Sequence, residues 1–420
     1  MAGERPDGEA EMAVVGAGIV GLASAVFLQR GGARVTVLDA LSPGGGASFG
    51  NAGLLSVESC VPISLPGMLW QVPKWLRDPL GPLAVDWRYL VKATPWLLAW
   101  VRAGRREKVL AASVALRALH AEGLEHYREL LGPTHFHDLV RTQGQVQVWE
   151  GDTVSREERL AHELWERHGV VSESLAPHEL RQLIPEISPA VSRAAFLPKN
   201  GHTVNPRRLV ESLASLLREA GGALRQERVM KLLPQAGGGF RLVTNVGDHR
   251  FAKLLIAGGA WSKQLLAPLG VRLPLETERG YHAVVKNPSF ELRLPVLHKT
   301  RGFAATAMEG GLRFAGTVEI AGLDLPMKEK RAEAVLKQGR ALFPSLKGDD
   351  VSIWMGYRPS LPDSLPVIDE VAAFPGLFIA CGHGHTGMTA GAATGRLVSA
   401  LVRGERPRID PTPYRLARFR

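Results

Sequence analysis

The sequence has little cysteine, no long apolar run and no repeats. Only two of its 420 residues are cysteine, Cys60 and Cys381. Two are too few for a disulfide framework and are typical of a reducing compartment. No run approaches the ~18 apolar residues of a membrane-spanning helix, and the polar opening segment MAGERPDGEAE lacks the apolar core of a secretion signal. We therefore expect a cytoplasmic protein without a spanning helix.

The charge balance is basic, with a formal net charge of +10. Such an excess suits nucleic acid, an anionic membrane surface or an anionic substrate. The basic residues are scattered apart from a short run at 102–108, and no nucleic-acid-binding motif accompanies them. Nucleic acid is therefore the partner we expect least. Chain length and a 45% hydrophobic composition predict a globular protein of two domains.

One stretch near the N-terminus predicts a dinucleotide-binding unit. A short apolar strand at 13–15 runs into GAGIVG at 16–21, an apolar-periodic helix follows, and a second apolar strand ends on Asp39. The three glycines permit a tight turn, close approach of the backbone to a pyrophosphate, and close packing of helix on strand. The helix N-terminus attracts phosphate, and Asp39 is placed to accept hydrogen bonds from a ribose. The motif does not distinguish NAD from FAD.

The loop after Asp39, LSPGGGASFGNAGLL, extends this unit. Ser48 and Asn51 can hydrogen-bond a cofactor, and Gly50 and Gly53 permit backbone contact at the carboxyl ends of the strands. A plain surface loop is the alternative.

The middle of the chain returns to the same type of unit. A helix is predicted at 207–220, followed by strands at 226–232, 240–245 and 249–257. The last of these strands ends in GGAWS and a further helix. This return indicates that distant segments complete the first domain.

A second glycine-rich turn lies near the C-terminus. A buried strand at 377–380 runs into CGHGHTGMT, and no partner strand with a ribose carboxylate follows it. We therefore interpret it as a helix N-terminus that stabilises a nearby negative charge, not as a second nucleotide fold. Cys381, His383 and His385 alternate, but three ligands without a fourth match known metal sites poorly, and we predict no metal.

Residues 57–110 are unusually rich in tryptophan, proline and basic side chains. The prolines require short helices. Such a segment either forms core and a roof over an active site, which we favour, or rests on a membrane surface. The residues are Trp70, Trp75, Trp87, Trp96, Trp100, Pro62, Pro66, Pro73, Pro79, Pro82, Pro95, Lys74, Arg77, Arg88, Lys92 and Arg102.

Together these motifs resemble the D-amino acid oxidase superfamily of FAD enzymes. The resemblance rests on GAGIVG with its acidic strand end, ASFGNAGLL, AGGAWS, the GYRP and PDSLP run, and CGHGHTGMT, and it covers nearly the whole chain. The insert is similar to that of the bacterial D-amino acid dehydrogenases. We expect an α/β fold with a discontinuous Rossmann-like FAD-binding domain (1–56, 204–270 and 352–420). The interleaved substrate domain (57–203 and 271–351) should contain a mostly antiparallel sheet.

The resemblance implies FAD bound along the first domain, with its adenine and ribose near Asp39 and Val229 and its flavin against the second glycine turn. A helix N-terminus at that point favours the negatively charged reduced flavin. Neither cysteine matches a motif for covalent attachment, so we predict non-covalent FAD. The expected cofactor-binding residues are Gly16, Gly18, Ile19, Val20, Gly21, Asp39, Ser48, Asn51, Ala52, Gly53, Leu54, Val229, Gly258, Gly259, Trp261, Gly384, His385, Thr386, Gly387, Met388 and Thr389.

The resemblance also implies that an arginine of the GYRP run and a tyrosine of the substrate sheet, here Arg358 and Tyr281, bind the substrate carboxylate. A bidentate guanidinium is a natural partner for a carboxylate. A structural ion pair of Arg358 with Asp363 is the alternative, and Arg301 is a competing clamp.

The chemistry implied is hydride transfer from the substrate Cα to flavin N5, after which the imine is hydrolysed to a 2-oxo acid. No side-chain base is required if the neutral amine binds. His202, His282, His383 and His385 are candidates for contacts with the amine or the substituent. The candidate catalytic residues are Arg358, Tyr281, His383 and His385.

The function predicted from the sequence is therefore an FAD-dependent D-amino acid dehydrogenase that passes electrons to a quinone or other carrier. One alternative is oxidation of a secondary amino acid of the D-hydroxyproline, proline, sarcosine or glycine type. Another is a non-catalytic electron-transfer subunit. Contact with the inner face of the membrane and oligomerisation both remain open at this point.

Overall fold

The computed structural model describes residues 11–70, 72, 77, 78, 81 and 83–419. Of the residues named for the predicted insert, Trp75, Lys74, Pro73, Pro79 and Pro82 lie outside this part of the chain. The strands are β1 (Glu11–Val15), β2 (Arg34–Asp39), β3 (Leu54–Leu55), β4 (Leu83–Val85), β5 (Val140–Arg141), β6 (Gln145–Glu150), β7 (Glu173–Leu175), β8 (Val191–Leu197), β9 (Gly201–Thr203), β10 (Ala223–Gln226), β11 (Val229–Pro234), β12 (Phe240–Thr244), β13 (Asp248–Phe251), β14 (Lys253–Ile256), β15 (Glu276–Val285), β16 (Val296–His298), β17 (Phe303–Met308), β18 (Gly311–Ile320), β19 (Val351–Ser360), β20 (Val367–Glu370) and β21 (Leu377–Cys381).

The helices predicted after GAGIVG and at 207–220 are present, at Ile19–Arg30 and Pro206–Glu219. In the described part of the chain no helix has both the length and the apolar character needed to cross a membrane. The α-helices are α1 (Ile19–Arg30), α2 (Leu90–Ala103), α3 (Arg106–His120), α4 (Gly123–Leu139), α5 (Arg156–Arg167), α6 (Pro177–Leu183), α7 (Pro206–Glu219), α8 (Ser262–Leu266), α9 (Glu329–Leu342) and α10 (Gly387–Arg403).

The first large sheet has the strand order β10-β2-β1-β14-β21-β20, in which every pairing is parallel except that of β20 with β21. The near-continuous apolar sequences of β1, β14 and β21 suit strands covered on both faces. Helices α1, α7 and α10 share one hydrophobic core with one face, and the small antiparallel sheet β11-β12-β13 shares a second core with the other. This arrangement confirms the discontinuous Rossmann-like prediction.

The predicted strand at 249–257 is in fact two strands in different sheets. β13 completes the small sheet, and β14 pairs with β1 and β21 in the large one. The chain changes sheet at Ala252, whose N–H donates to the carbonyl of Glu11 (3.0 Å). A continuous apolar pattern therefore concealed the change of sheet.

The second large sheet has the order β19-β15-β18-β17-β16-β6-β8-β7, with β4 paired to β18. Its pairings are antiparallel apart from β16 with β6 and β18 with β4, as the sequence predicts. All of β19 belongs to this sheet, and α3 and α4 pack into the core around α1. We therefore propose a domain boundary after Ser360 and not at 352, with residues 106–139 assigned to the first domain.

Candidate active site

A cavity of about 2010 Å³ is lined by both large sheets, by the glycine-rich turns and by the tryptophan-rich insert. Pockets for single small molecules usually measure about 300–1,000 Å³. This cavity therefore has room for a dinucleotide and a second, smaller molecule.

The first glycine turn has the geometry of a phosphate-binding site. Gly16 has φ of +120°, and a Cβ there would lie 2.3 Å from the Ala257 carbonyl oxygen. A Cβ on Gly21 would lie 1.9 Å from the Gly16 oxygen, which is the close packing of helix on strand that the motif predicts. At Gly18, among the described residues beyond its chain neighbours, only Ser48 Oγ (3.4 Å) lies within 4 Å of an added Cβ. The backbone at Gly18 is therefore open to a ligand.

Asp39 and Ser48 hold this turn in place. Asp39 Oδ2 accepts the Ala17 N–H (2.7 Å), Oδ1 accepts the Leu41 N–H (2.8 Å), and Ser48 Oγ accepts the Ile19 N–H (3.1 Å). Burial raises the pKa of Asp39, although these backbone N–H groups oppose the shift. The carboxylate therefore lies beside the phosphate turn on the cavity wall, where a ribose would contact it.

Most of the predicted cofactor-binding residues line the cavity, so the residues present fit an extended dinucleotide. Gly21 and Gly53 do not line it, because Gly21 packs on Gly16 and Gly53 accepts the Thr203 N–H (2.8 Å). Binding of FAD by the individual residues stays a prediction. Those in the wall are Gly16, Gly18, Ile19, Val20, Asp39, Ser48, Asn51, Ala52, Leu54, Val229, Gly258, Gly259, Trp261, Gly384, His385, Thr386, Gly387, Met388 and Thr389.

The second glycine turn presents the start of α10 to the same cavity. His383 lies in its wall, is buried and shares a hydrogen bond with Thr394 Oγ1 (2.9 Å). Burial lowers the pKa of His383 to about 3, so the imidazole is neutral at physiological pH. Among the described residues no group of three or more histidines, cysteines and carboxylates is arranged to hold a metal ion.

Arg358 lies on the cavity wall, with its guanidinium across Gly280 of the neighbouring strand. A Cβ on Gly280 would be 2.1 Å from Arg358 Cζ and 2.2 Å from Nη2. Nη1 donates to the Thr317 carbonyl (2.9 Å) and Nη2 makes a long contact with the Gly316 carbonyl (3.5 Å). Burial lowers the pKa of the guanidinium, an effect opposed by the charge of Glu278.

Asp363 and Arg301, the residues named in the alternatives to Arg358 as the carboxylate clamp, have other ion-pair partners. Asp363 forms its ion pair with Arg418 (2.7 Å) and not with Arg358. Arg301 is paired with Glu150, with Nε 2.9 Å and 3.0 Å from the two carboxylate oxygens. Within the described part of the chain, no carboxylate lies at ion-pair distance from Arg358. Arg358 is thus the better placed of the two arginines to bind an external anion.

His385 is paired with a buried carboxylate that the sequence analysis did not identify. Its Nε2 lies 2.7 Å from Glu278 Oε2, and Glu278 faces Arg358 across the β15–β19 pairing. Burial alone would raise the pKa of Glu278, but the hydrogen bond from His385 and the charge of Arg358 hold it below its ordinary value. An ionised carboxylate therefore lies beside the cavity at the Arg358 end.

The structure does not bring Tyr281 to the cavity, and its expected role is corrected. Tyr281 is buried, and its hydroxyl donates to Glu319 Oε2 (2.6 Å) on the face of the sheet covered by α9. Side chains alternate along a strand, so Gly280 and Glu278 line the cavity and Tyr281 does not. His202 and His282 also lie outside its wall. Burial lowers their pKa values to about 4 and about 3.

Trp354 is a second wall residue that sequence reasoning missed. Its ring stacks on His282 with centroids 5.1 Å apart, and it packs against Gly50 of the cofactor loop. The side chain therefore joins the loop of the first domain to the substrate sheet. Its position in the run preceding GYRP was the only available signal.

The insert both roofs the cavity and faces solvent. Trp96 is buried, with Nε1 donating to the Ser360 carbonyl (3.2 Å), and Trp100 lines the cavity. In contrast, Trp70 is 86% exposed and Trp87 is 79% exposed. Part of the insert therefore lines the cavity, as expected of a roof, and two of its tryptophans are exposed.

Fold and cavity together fit an extended dinucleotide beside a smaller compartment that contains Arg358. A family model described as FAD dependent oxidoreductase (DAO) matches residues 11–401. The chain belongs to this family of FAD-dependent oxidoreductases, which confirms the resemblance and implies FAD as the cofactor.

Individual relatives agree with this assignment. The chain is 37% identical to a D-amino-acid oxidase of Bradyrhizobium diazoefficiens over 99% of its own length and 100% of the relative's. Its fold is similar to glycine oxidase from Geobacillus kaustophilus (TM-score 0.74, 24% identity, 97% and 98% of the two chains). It is equally similar to L-proline dehydrogenase from P. horikoshii (TM-score 0.74, 20% identity, 98% of both chains). These two structures support the fold alone.

Proposed function

We propose that this protein oxidises D-amino acids to 2-oxo acids. The observation that carries the proposal is Arg358, a cavity-wall arginine with no carboxylate partner among the described residues. It lies next to the second glycine turn, because β19 continues into a bridge between Ser360 and His383. The name of the Bradyrhizobium relative supports a D-amino acid as the substrate.

The residues of the chain have distinct roles in this proposal. Bound FAD would supply the two-electron acceptor for the Cα–H bond. Arg358 binds the carboxylate through two charge-assisted hydrogen bonds and thereby fixes the orientation of the Cα–H bond. Glu278 is ionised and is held by His385. Its negative charge favours binding of the substrate amine at this end of the cavity over binding of a second acidic group of a substrate. His383 stays neutral and does not repel the amine.

We expect the purified protein to be yellow and to release its FAD on denaturation. Burial raises the pKa values of Cys60 and Cys381 to about 12, so neither thiol is an effective nucleophile near neutral pH. The test is absorbance of the supernatant after acid precipitation of the protein. Flavin that stays with the precipitated protein would contradict non-covalent binding.

A substrate panel with an artificial dye acceptor tests the proposed reaction. We expect turnover of primary D-amino acids at least tenfold above that of their L-enantiomers and of secondary amines. Preferred turnover of proline, hydroxyproline or sarcosine would replace the proposal with a secondary-amine oxidation. No turnover across the panel would favour a non-catalytic flavoprotein subunit.

We further propose that the electrons pass to a quinone held in an anionic membrane surface. Trp70, Trp87 and Val91 are exposed, and Arg88 and Lys92 lie among them. Apolar and basic side chains combined on a non-spanning segment are typical of contact with an anionic lipid surface. Trp87 also lines the cavity, so the proposed contact surface adjoins its mouth.

Stopped-flow reoxidation tests this acceptor. We expect a quinone in phosphatidylserine vesicles to reoxidise the reduced enzyme about tenfold faster than dissolved oxygen does. Val91→Glu, on a side chain that is 84% exposed, should slow the vesicle reaction. Val246→Glu, on an exposed turn elsewhere, is the matched control and should not. Oxygen reacting as fast as the quinone would make the protein an oxidase, as the name of the Bradyrhizobium relative suggests.

A further inference from the structure

A β-bulge interrupts the substrate sheet at the point where the Arg358 guanidinium lies. In the pairing of β15 with β18, two residues of β18, Thr317 and Val318, lie opposite a single residue of β15, Gly280. Gly280 is the residue across which the guanidinium extends. Bulges occur frequently next to active sites, where they redirect a side chain.

The bulge contains an unusual backbone conformation. Thr317 has φ of +54°, in the left-handed region. Glycine normally takes this position in a bulge, and a β-branched residue there is a genuine outlier. Strain of this kind persists only where surrounding contacts enforce it, and it is concentrated at functional sites. A contact that holds Thr317 is therefore required.

Arg331 of α9 supplies that contact. Its side chain is buried, and Nη2 donates to both Thr317 Oγ1 and the Gly81 carbonyl (3.0 Å). The threonine hydroxyl is thus tied to a buried cation of α9. A glycine would fit the backbone conformation but would have no hydroxyl for Arg331.

The backbone carbonyl of Thr317 lies at the proposed carboxylate site. Its carbonyl oxygen accepts Arg358 Nη1 at 2.9 Å, the shorter of the two hydrogen bonds found for this guanidinium. No carboxylate of the described residues pairs with Arg358, so this carbonyl and that of Gly316 set its orientation. The direction of the Thr317 carbonyl follows from the left-handed conformation that Arg331 maintains.

We propose that Thr317 is a positioning residue: anchored by Arg331, it directs the Arg358 guanidinium toward the substrate carboxylate. This inference rests on the role proposed above for Arg358. In this proposal Thr317 affects binding of the substrate carboxylate and has no effect on the transfer of electrons to the acceptor.

The test measures binding of benzoate, a carboxylate without an oxidisable amine, by perturbation of the flavin spectrum, together with KM and kcat for D-alanine. Thr317→Val removes the hydroxyl and keeps the shape. It should raise the benzoate Kd and the KM about tenfold, with kcat changed less than about twofold. Thr317→Ser, which keeps the hydroxyl, should restore both values. A purely structural role would not produce this separation of KM from kcat.

Two further variants make each outcome decisive. Thr317→Gly can adopt the bulge conformation but loses the anchor to Arg331, so its carbonyl is no longer held in one direction. It should weaken benzoate binding even if Thr317→Val does not fold. If both variants bind benzoate like the wild type while Arg358→Met loses binding, the positioning role is overturned and the proposed function stands. If Arg358→Met binds benzoate unchanged, the carboxylate site is elsewhere and both proposals fail.

Discussion

Arg358→Lys is expected to retain FAD and to lose about 100-fold in kcat/KM for a D-amino acid, or roughly 2.7 kcal/mol of transition-state stabilisation. Lysine keeps the positive charge but replaces a planar, two-pronged donor with a single ammonium. It also loses the hydrogen bond to the Thr317 carbonyl that orients the guanidinium. Steady-state kinetics on samples of matched flavin content measure the effect.

The matched control is Arg301→Lys in the same cavity. Arg301 is already paired with Glu150, so its replacement should change kcat/KM less than about threefold. The opposite result, with Arg301→Lys impaired and Arg358→Lys active, would move the carboxylate clamp to Arg301.

Gly280→Ala should reduce kcat/KM almost as strongly, by about 30- to 100-fold, although glycine has no side chain to contribute. The new Cβ would lie 2.1 Å from Arg358 Cζ, so the guanidinium must move by more than an ångström. A displacement of that size in a positioning group can cost about 100-fold in rate. The guanidinium is the mobile end of a side chain, so the fold and the flavin content should be preserved.

Gly310→Ala is the control for this substitution, because among the described residues only its own chain neighbours lie within 4 Å of an added Cβ there. Its kinetics and melting temperature should match those of the wild type. If Gly280→Ala were as active as Gly310→Ala, the guanidinium orientation seen in the structure would not be the one used in catalysis.

The dinucleotide unit could be predicted from sequence because its determinants are local. A helical period, an apolar strand and glycines with specific steric requirements all lie within one segment, as at Gly16 and Gly21. The second glycine turn was predicted for the same reason.

The substrate end of the cavity could not be predicted to the same depth. Every residue of β15 is buried, so no alternation of polarity shows which side chains face the cavity. A shift of one residue reverses the facing of every side chain, so the resemblance that points to Tyr281 does not show whether Tyr281 or its neighbour Gly280 faces the cavity. Pairs such as Arg301 with Glu150 join residues far apart in the chain, and no local pattern specifies them.

The strand order of the first sheet has a consequence for synthesis on the ribosome. β1 and β2 are translated well before β14 (Lys253–Ile256), which is the partner on the other side of β1. At a translation rate of about 5–20 residues per second, one edge of β1 stays unpaired for on the order of ten seconds to a minute before β14 is synthesised. β21 and the turn that completes the cavity arrive still later. Nascent chains are therefore exposed to edge-to-edge aggregation during this interval, and the cofactor can stabilise the fold only after β21 and this turn have been translated.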